Sequence, residues 1–300
     1  MNTVGAGQGP VVESALLRAE LVQLRRERGL TQEQVGHSLD WHPSKLIRIE
    51  GGKSGISKTD LRALLGEYGV TSESRREKLE TLASGARAQA WWSQYRDVED
   101  ETSLRYIGYE AGASVIRHLQ TTIVPGPLQT EEYAEVISSY YLDDRAKGER
   151  KAALRARRLK EMDDRDNPPR RFYVLDEAII WRHIGVRRDP GIMPQQLHYI
   201  ADLVERNDLI TVRVVPFSSG AHAGLDGPFV LLEFDGALND QLYREGSSTV
   251  TQAQGSLTGD EEVVTDYRAA FEAILEEALD ARGSLKLIRE AAEKLVETRA

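Results

Sequence analysis

Two short helical patterns crowd into the twenty residues from Thr31 to Glu50, with only a four-residue turn between them. Thr31 is placed to cap the first, and Val35 with Leu39 gives it an apolar face over about nine residues. Pro43 suits the opening position of the second, Leu46 and Ile49 supply its inward face, and Gly51-Gly52 ends it. Gly36 falls where two such helices approach most closely, so a small residue is needed there. Asp40 falls in the turn, where φ is usually positive, and Asp tolerates that left-handed conformation better than most non-glycine residues. Trp41, Leu46 and Ile49 take inward positions, leaving Ser44, Lys45 and Arg48 on the outer face.

This is helix-turn-helix spacing, in which the outer face of the second helix enters the major groove of double-stranded DNA. There an Arg bonds bidentately to guanine and a Ser reaches base edges or phosphate. The formal charge of −9 opposes a nucleic-acid partner at first sight. Its distribution weakens the objection. Residues 1–90 hold 13 Lys and Arg against 11 Asp and Glu, whereas residues 91–300 hold 26 against 37. Residues 25–62 alone carry 8 basic and 5 acidic side chains, a modest positive footprint around the motif.

The stretch closely resembles the DNA-binding domain of the phage-repressor-like, xenobiotic-response-element (XRE) family of bacterial regulators, over roughly residues 13–75. The motifs that carry the resemblance are Arg25, Leu30-Thr31-Gln32 and Leu46-Ile47-Arg48-Ile49-Glu50-Gly51-Gly52-Lys53. It implies that Gln32 contacts phosphate at a helix N-terminus and that Arg25 pairs with Glu50 in a structural salt bridge. It also implies that Pro43, Ser44, Lys45 and Arg48 form the reading surface, and His42 and Lys53 complete the expected DNA-contacting set. Asp40 departs from the glycine usual in that turn. Pro43 stands where a base-reading polar residue is common, which places specificity on Ser44, Lys45 and Arg48.

The expected organisation is multi-domain: a disordered tail over 1–12, a repressor-like five-helix all-α domain over 13–75 and a connecting helix over 76–100. A C-terminal α/β (α+β) sensor or partner-binding domain then covers 101–300. The helix over 13–28 is marked by Leu17, Leu21 and Leu24 and closed by Gly29. Ser74 to Tyr95 reads as a connecting helix ending in Trp91-Trp92. Farther on, helices are expected over 130–142, 147–165 and 194–206, with strands over 172–175, 211–215 and 229–234. Two last helices are expected on either side of Gly283. The basic helix from Lys147 reads as a solvated face, because Arg157 with Glu161 and Lys160 with Asp164 stand at i, i+4 spacing.

This part resembles the large uncharacterised domain that follows such a motif in many actinobacterial regulators, some of them antitoxin-like. The resemblance runs through Trp91-Trp92, Ile107 to Ala111, Val124 to Tyr133, Val214 to Phe217, Ala278 to Ala281 and Ser284 to Ile288. It implies a sensory or partner-binding role and no reaction. The element order from Thr211 to Phe271 is similar also to regulators built on a catalytically inactive phospholipase D-like domain. None of the six histidines has Lys two residues later, so the HxK motif of a live enzyme is missing.

Other chemistries are closed off by residue type. Without cysteine there is no disulfide, thiolate metal site or thiol nucleophile, and no HExxH or GxSxG occurs. Neither metal nor cofactor is expected, and the reading is of a non-enzyme. No window approaches the ~18 apolar residues of a membrane span, and the start lacks a secretory-signal layout, which makes the cytoplasm, at the nucleoid, the expected location. Trp181, His183, His222 and Tyr243 are candidate ligand-pocket residues, on the strength of aromatics beside the glycine-rich stretch 218–227. The expectation is a homodimeric, sequence-specific regulator modulated by a small-molecule effector or a small partner protein. The alternative is an antitoxin-like protein that sequesters such a partner and autoregulates its operon.

Overall fold

The computed structural model describes residues 9–141, 145–236, 238–246 and 255–297. Two compact units are present, residues 1–93 with 234–238, and residues 94–233 with 239–300. Among the described residues no helix is long and apolar enough to cross a membrane.

The first unit is helical. Helix α1 (Pro10–Glu27) begins at Pro10, ahead of the expected start, because the fixed proline φ suits the first turn and Val12 is fully buried. Residues 10–12 of the expected tail are therefore helical, and residues 1–8 lie outside the described residues. α1 closes on Gly29 at φ 66°, with the Leu30 N–H donating to the Arg25 carbonyl at 3.1 Å. Helix α2 (Gln32–Ser38) is shorter than the sequence pattern implied. Thr31 and Gln34 form a reciprocal capping box at its start, and the chain leaves the helix at Leu39. Helices α3 (Pro43–Glu50) and α4 (Lys58–Glu67) follow, the latter capped by the Ser57 hydroxyl.

Helix α5 (Glu73–Gly85) corrects the expected connector over 76–100. It ends at Gly85, and Trp91–Tyr95 form a separate 3-10 turn. Its apolar side, Leu79, Leu82 and Ala83, is buried, and the helix packs on α1. The Glu20 carboxylate on α1 accepts from both Arg75 at 3.2 Å and Lys78 at 3.0 Å, which hold it below the usual carboxylate range although burial alone would raise it. α5 is thus the fifth helix of the first unit, and the boundary expected at residue 75 moves outward.

The second unit is a three-layer α/β structure around a six-stranded mixed sheet. Helix α6 (Glu101–Glu110) leads into β1 (Val115–Gln120); helices α7 (Glu131–Tyr141) and α8 (Arg145–Asp163) then cross over to β2 (Arg170–Asp176). The short α9 (Glu177–Trp181) and α10 (Ile192–Arg206) cross over to β3 (Ile210–Val215). Strands β4 (Phe229–Glu233), β5 (Gln241–Arg244) and β6 (Ser256–Thr258) precede α11 (Glu261–Glu277) and α12 (Ala281–Glu297). The order is β3-β2-β1-β4-β5-β6, parallel among β1, β2 and β3 and antiparallel from β1 through β4 and β5 to β6. Alternation along a strand sends neighbours to opposite faces. Tyr173 and Leu175 meet α7, α9, α10 and α12, whereas Val174 joins Phe229, Leu231 and Phe271 under α11. Burial on both faces explains why β2 reads as an apolar run without period.

Gly283 does not separate the last two helices. The break is at Leu279-Asp280, where the Asp280 carboxylate accepts from the Gly283 N–H at 2.6 Å and so caps α12. Gln196, fully buried, replaces two missing backbone bonds: its Oε1 accepts from the Thr130 N–H at 2.7 Å and its Nε2 donates to the Leu128 carbonyl at 2.6 Å.

The basic helix α8 is only partly a solvated face. Arg157 with Glu161 and Lys160 with Asp164 are exposed i, i+4 pairs, but Arg158 turns inward. It grips Glu110 with Nε at 2.8 Å and Nη2 at 2.7 Å, and the Tyr106 hydroxyl donates to the same carboxylate at 2.6 Å. Burial alone would raise the Glu110 carboxyl, but Arg158 and Tyr106 outweigh it and hold the group below its usual range. Near this pair, burial pulls the His118 imidazole on β1 down to about 4, with Glu110 opposing and Arg158 reinforcing. Between pH 6.5 and 4 the unfolded chain therefore takes up a proton at His118 that the folded one refuses, so stability falls as the pH drops. Urea titrations are expected to show His118→Gln shrinking the loss between those pH values by about 2 kcal/mol.

Candidate nucleic-acid interface

The helix pair is joined as the chemistry of its turn requires. Asp40 sits at φ 54°, the one described non-glycine residue with positive φ, and the Trp41 N–H returns to the Gly36 carbonyl at 2.8 Å. A Cβ on Gly36 would lie 3.7 Å from the Trp41 carbonyl oxygen and 4.0 Å from the Pro43 Cα. A methyl group therefore meets both at ordinary van der Waals distance. Leu46 and Ile49 are buried as the spacing implies, but Trp41 is only partly so. Its ring lies on the surface of the unit, with the Lys45 ammonium 4.0 Å above its centroid.

One carboxylate ties three helices together. Arg25 of α1 donates to Glu50 of α3 with Nε at 2.8 Å and Nη2 at 3.0 Å, and its Nη1 donates to the Leu30 carbonyl at 2.7 Å. Gln32 of α2 donates its Nε2 to the same Glu50 at 2.7 Å. The Glu50 side chain is 4% exposed and that of Arg25 is 12% exposed, so this pair has lost most of its water and depends on its geometry. Gln32, expected at a phosphate, gives one of its two amide N–H donors to Glu50.

The outer face of α3 is open. His42 caps the helix, its Nδ1 meeting the Ser44 N–H at 3.3 Å and the Ser44 hydroxyl at 2.9 Å. Pro43, Ser44 and Arg48 are exposed, and the Arg48 guanidinium meets no hydrogen-bond or ion-pair partner among the described residues. Lys45 is different: it is bonded to Asp60 of α4 at 2.6 Å, besides covering Trp41. That pairing removes it from the free reading set, and the carboxyl of Asp60 is held low by the ammonium although burial would raise it. Ile47, 52% exposed, stands between Ser44 and Arg48 on the same face and was not among the expected contacts. Its place, one turn from Ser44 and next to Arg48, was readable from helical spacing, but an apolar residue there reads as core until the packing is known. Lys53 lies just beyond the helix, fixed by its N–H to the Arg48 carbonyl at 2.9 Å, with Gly52 at φ 72° making the turn.

A short exposed helix held rigidly on its inner side, with a free guanidinium and a hydroxyl outward, defines a helix-turn-helix DNA-binding domain. A family model described as a helix-turn-helix domain matches residues 16–79. The DUF5753 model, described as a domain of unknown function, matches residues 104–290, and the chain belongs to that family. No curated protein matches the chain, and no solved structure does.

The four expected pocket residues each make contacts within the fold. Trp181 donates its Nε1 to Glu177 at 2.7 Å and lies under the Lys294 ammonium. The His183 Nε2 meets the Pro190 carbonyl at 2.9 Å. His222 has a nearly fully buried side chain, with Nε2 3.3 Å from Asp176 and Nδ1 accepting from the Gly224 N–H. Tyr243 lies on β5, stacked on Tyr106 at 4.2 Å. Each ring braces a loop or a strand. Aromatic and histidine content pointed to a ligand, but these side chains spend their polar atoms inside the fold.

Asp40 holds its positive φ at a cost of about 1 kcal/mol that glycine does not incur. Chemical denaturation is expected to show Asp40→Gly raising stability by roughly 0.5–1 kcal/mol and Asp40→Val lowering it by roughly 1–2 kcal/mol.

Proposed function

We propose that the chain is a sequence-specific regulator of transcription that binds as a homodimer and acts by binding rather than by catalysis. Each copy lays α3 in the major groove, and the two half-sites lie about 34 Å apart. The observation that carries the reading is the open face of α3: Arg48 is exposed, and unpaired among the described residues, on a helix whose opposite side is buried at Leu46 and Ile49. Arg48 reads guanine, Ser44 reads a base edge or a phosphate, and Ile47 packs on a thymine methyl group. Lys53, beyond the helix, meets the phosphate backbone. The second unit senses the signal that changes DNA affinity, in keeping with a family domain attached to a DNA reader. The resemblance to XRE regulators supports the same reading.

Genome-wide occupancy of the tagged protein is expected to show discrete palindromic sites. On one such site Arg48→Ala is expected to cost about 1–3 kcal/mol, roughly 5- to 150-fold in affinity, at fixed salt. A footprint and affinity unchanged by that substitution would reject α3 as the reading helix.

A second reading, sequestration of a small partner protein, is favoured by Phe217 and Leu225, which are 60% and 63% exposed. Isolated exposed apolar residues are ordinary, but two large ones on successive loops after β3 offer a docking point. If this reading holds, a small protein recovered in stoichiometric amount with the full chain is lost when both residues are changed to Ser.

A further inference from the structure

Between α7 and α8 the second unit holds a cleft of about 820 Å³, closed at one end by the turn at Gly126–Leu128. That volume is within the range of small-molecule sites. Small side chains make its walls, Ala134 and Ser138 from α7 and Ala152 and Ala156 from α8. Two of its lining residues hold unused bonding capacity. Arg155 donates from Nη1 to the Ser138 hydroxyl at 3.0 Å and has no carboxylate in ion-pair reach among the described residues. Burial and the nearby Arg158 pull this guanidinium below its usual range, and Glu99 and Glu245 offset only part of that. Gln129 spends its Nε2 on the Val124 carbonyl at 2.7 Å, and its Oε1 is buried with no donor.

Arg188 is closed on Glu135 at 2.6 Å, and Glu131 and Glu149 are exposed. An apolar helix laid in this cleft would leave Arg155 desolvated without a counter-ion, a costly arrangement. An anion restores the balance, because a guanidinium takes a carboxylate through two parallel hydrogen bonds.

We propose that this cleft binds a small carboxylic acid with an apolar body. The carboxylate pairs with Arg155 and the body lies on the alanine walls. The acid is the effector of the regulator, and that role rests on the DNA-binding reading above; its binding does not.

The test uses the full chain without DNA. A panel of N-acetylated apolar amino acids and arylalkanoic acids is compared, each acid with its primary amide, by saturation-transfer NMR and thermal shift. At least one acid is expected to bind about tenfold more tightly than its amide. Arg155→Gln abolishes that preference and Arg155→Lys retains part of it. Ala156→Trp, at an exposed position of the cleft, excludes acid and amide alike while leaving Arg155 in place. Acids that bind no better than their amides, or a preference that survives Arg155→Gln, overturn the proposal. Arg48→Ala keeps acid binding whatever it does to DNA, so the failure of one reading is told apart from that of the other.

Discussion

The Glu50 carboxylate is the point on which the geometry of the reading helix depends. It receives Arg25 from α1 and Gln32 from α2 while belonging to α3, so the three helices are indexed by one anion. A helix of eight residues has no stability of its own in water. Its orientation is set by what holds its inner side, and here that is a desolvated, bidentate ion pair at one end and Leu46 with Ile49 in the core. With those atoms committed inward, Ser44, Ile47 and Arg48 are left outward as a consequence of packing. A reading surface needs that rigidity, because a bidentate contact to a base tolerates little angular error.

Lys45 shows how the same surface is trimmed. Placed over the Trp41 ring and bonded to Asp60, it links α3 to α4 and shields an aromatic that the core does not absorb. A lysine on the outer face is thereby turned into a brace, and the free charge that remains on α3 is Arg48. The basic footprint of the motif is smaller than its count of basic residues implies.

In the second unit the same economy appears inside the protein. Arg158, Glu110 and Tyr106 satisfy one another in a buried network, and Gln196 restores two backbone bonds that the Leu128–Thr130 turn leaves open. Histidines and aromatics that look available in the sequence are spent on such repairs. Arg155 is the exception: its neighbours are small and, among the described residues, it bonds a hydroxyl and has no carboxylate in ion-pair reach, so its charge faces a cleft.

Local chemistry alone determined the helix pair in this protein. Gly36, Asp40, Pro43 and the Leu46 and Ile49 spacing are constraints of backbone and period, which act within a few residues and are written directly in the chain. The cap at Thr31 is legible for the same reason. Tertiary structure decided what long-range partners decide. Lys45 meets Asp60 fifteen positions away, Arg155 finds no carboxylate among the described residues, and α5 folds back on α1 although its pattern reads equally well as a connector. Strands β5 and β6 escaped notice because they are short and take their place from register with β4, not from any period of their own. A side chain's type is fixed by its codon, but whether its charge is spent or free depends on which distant segment the fold sets against it.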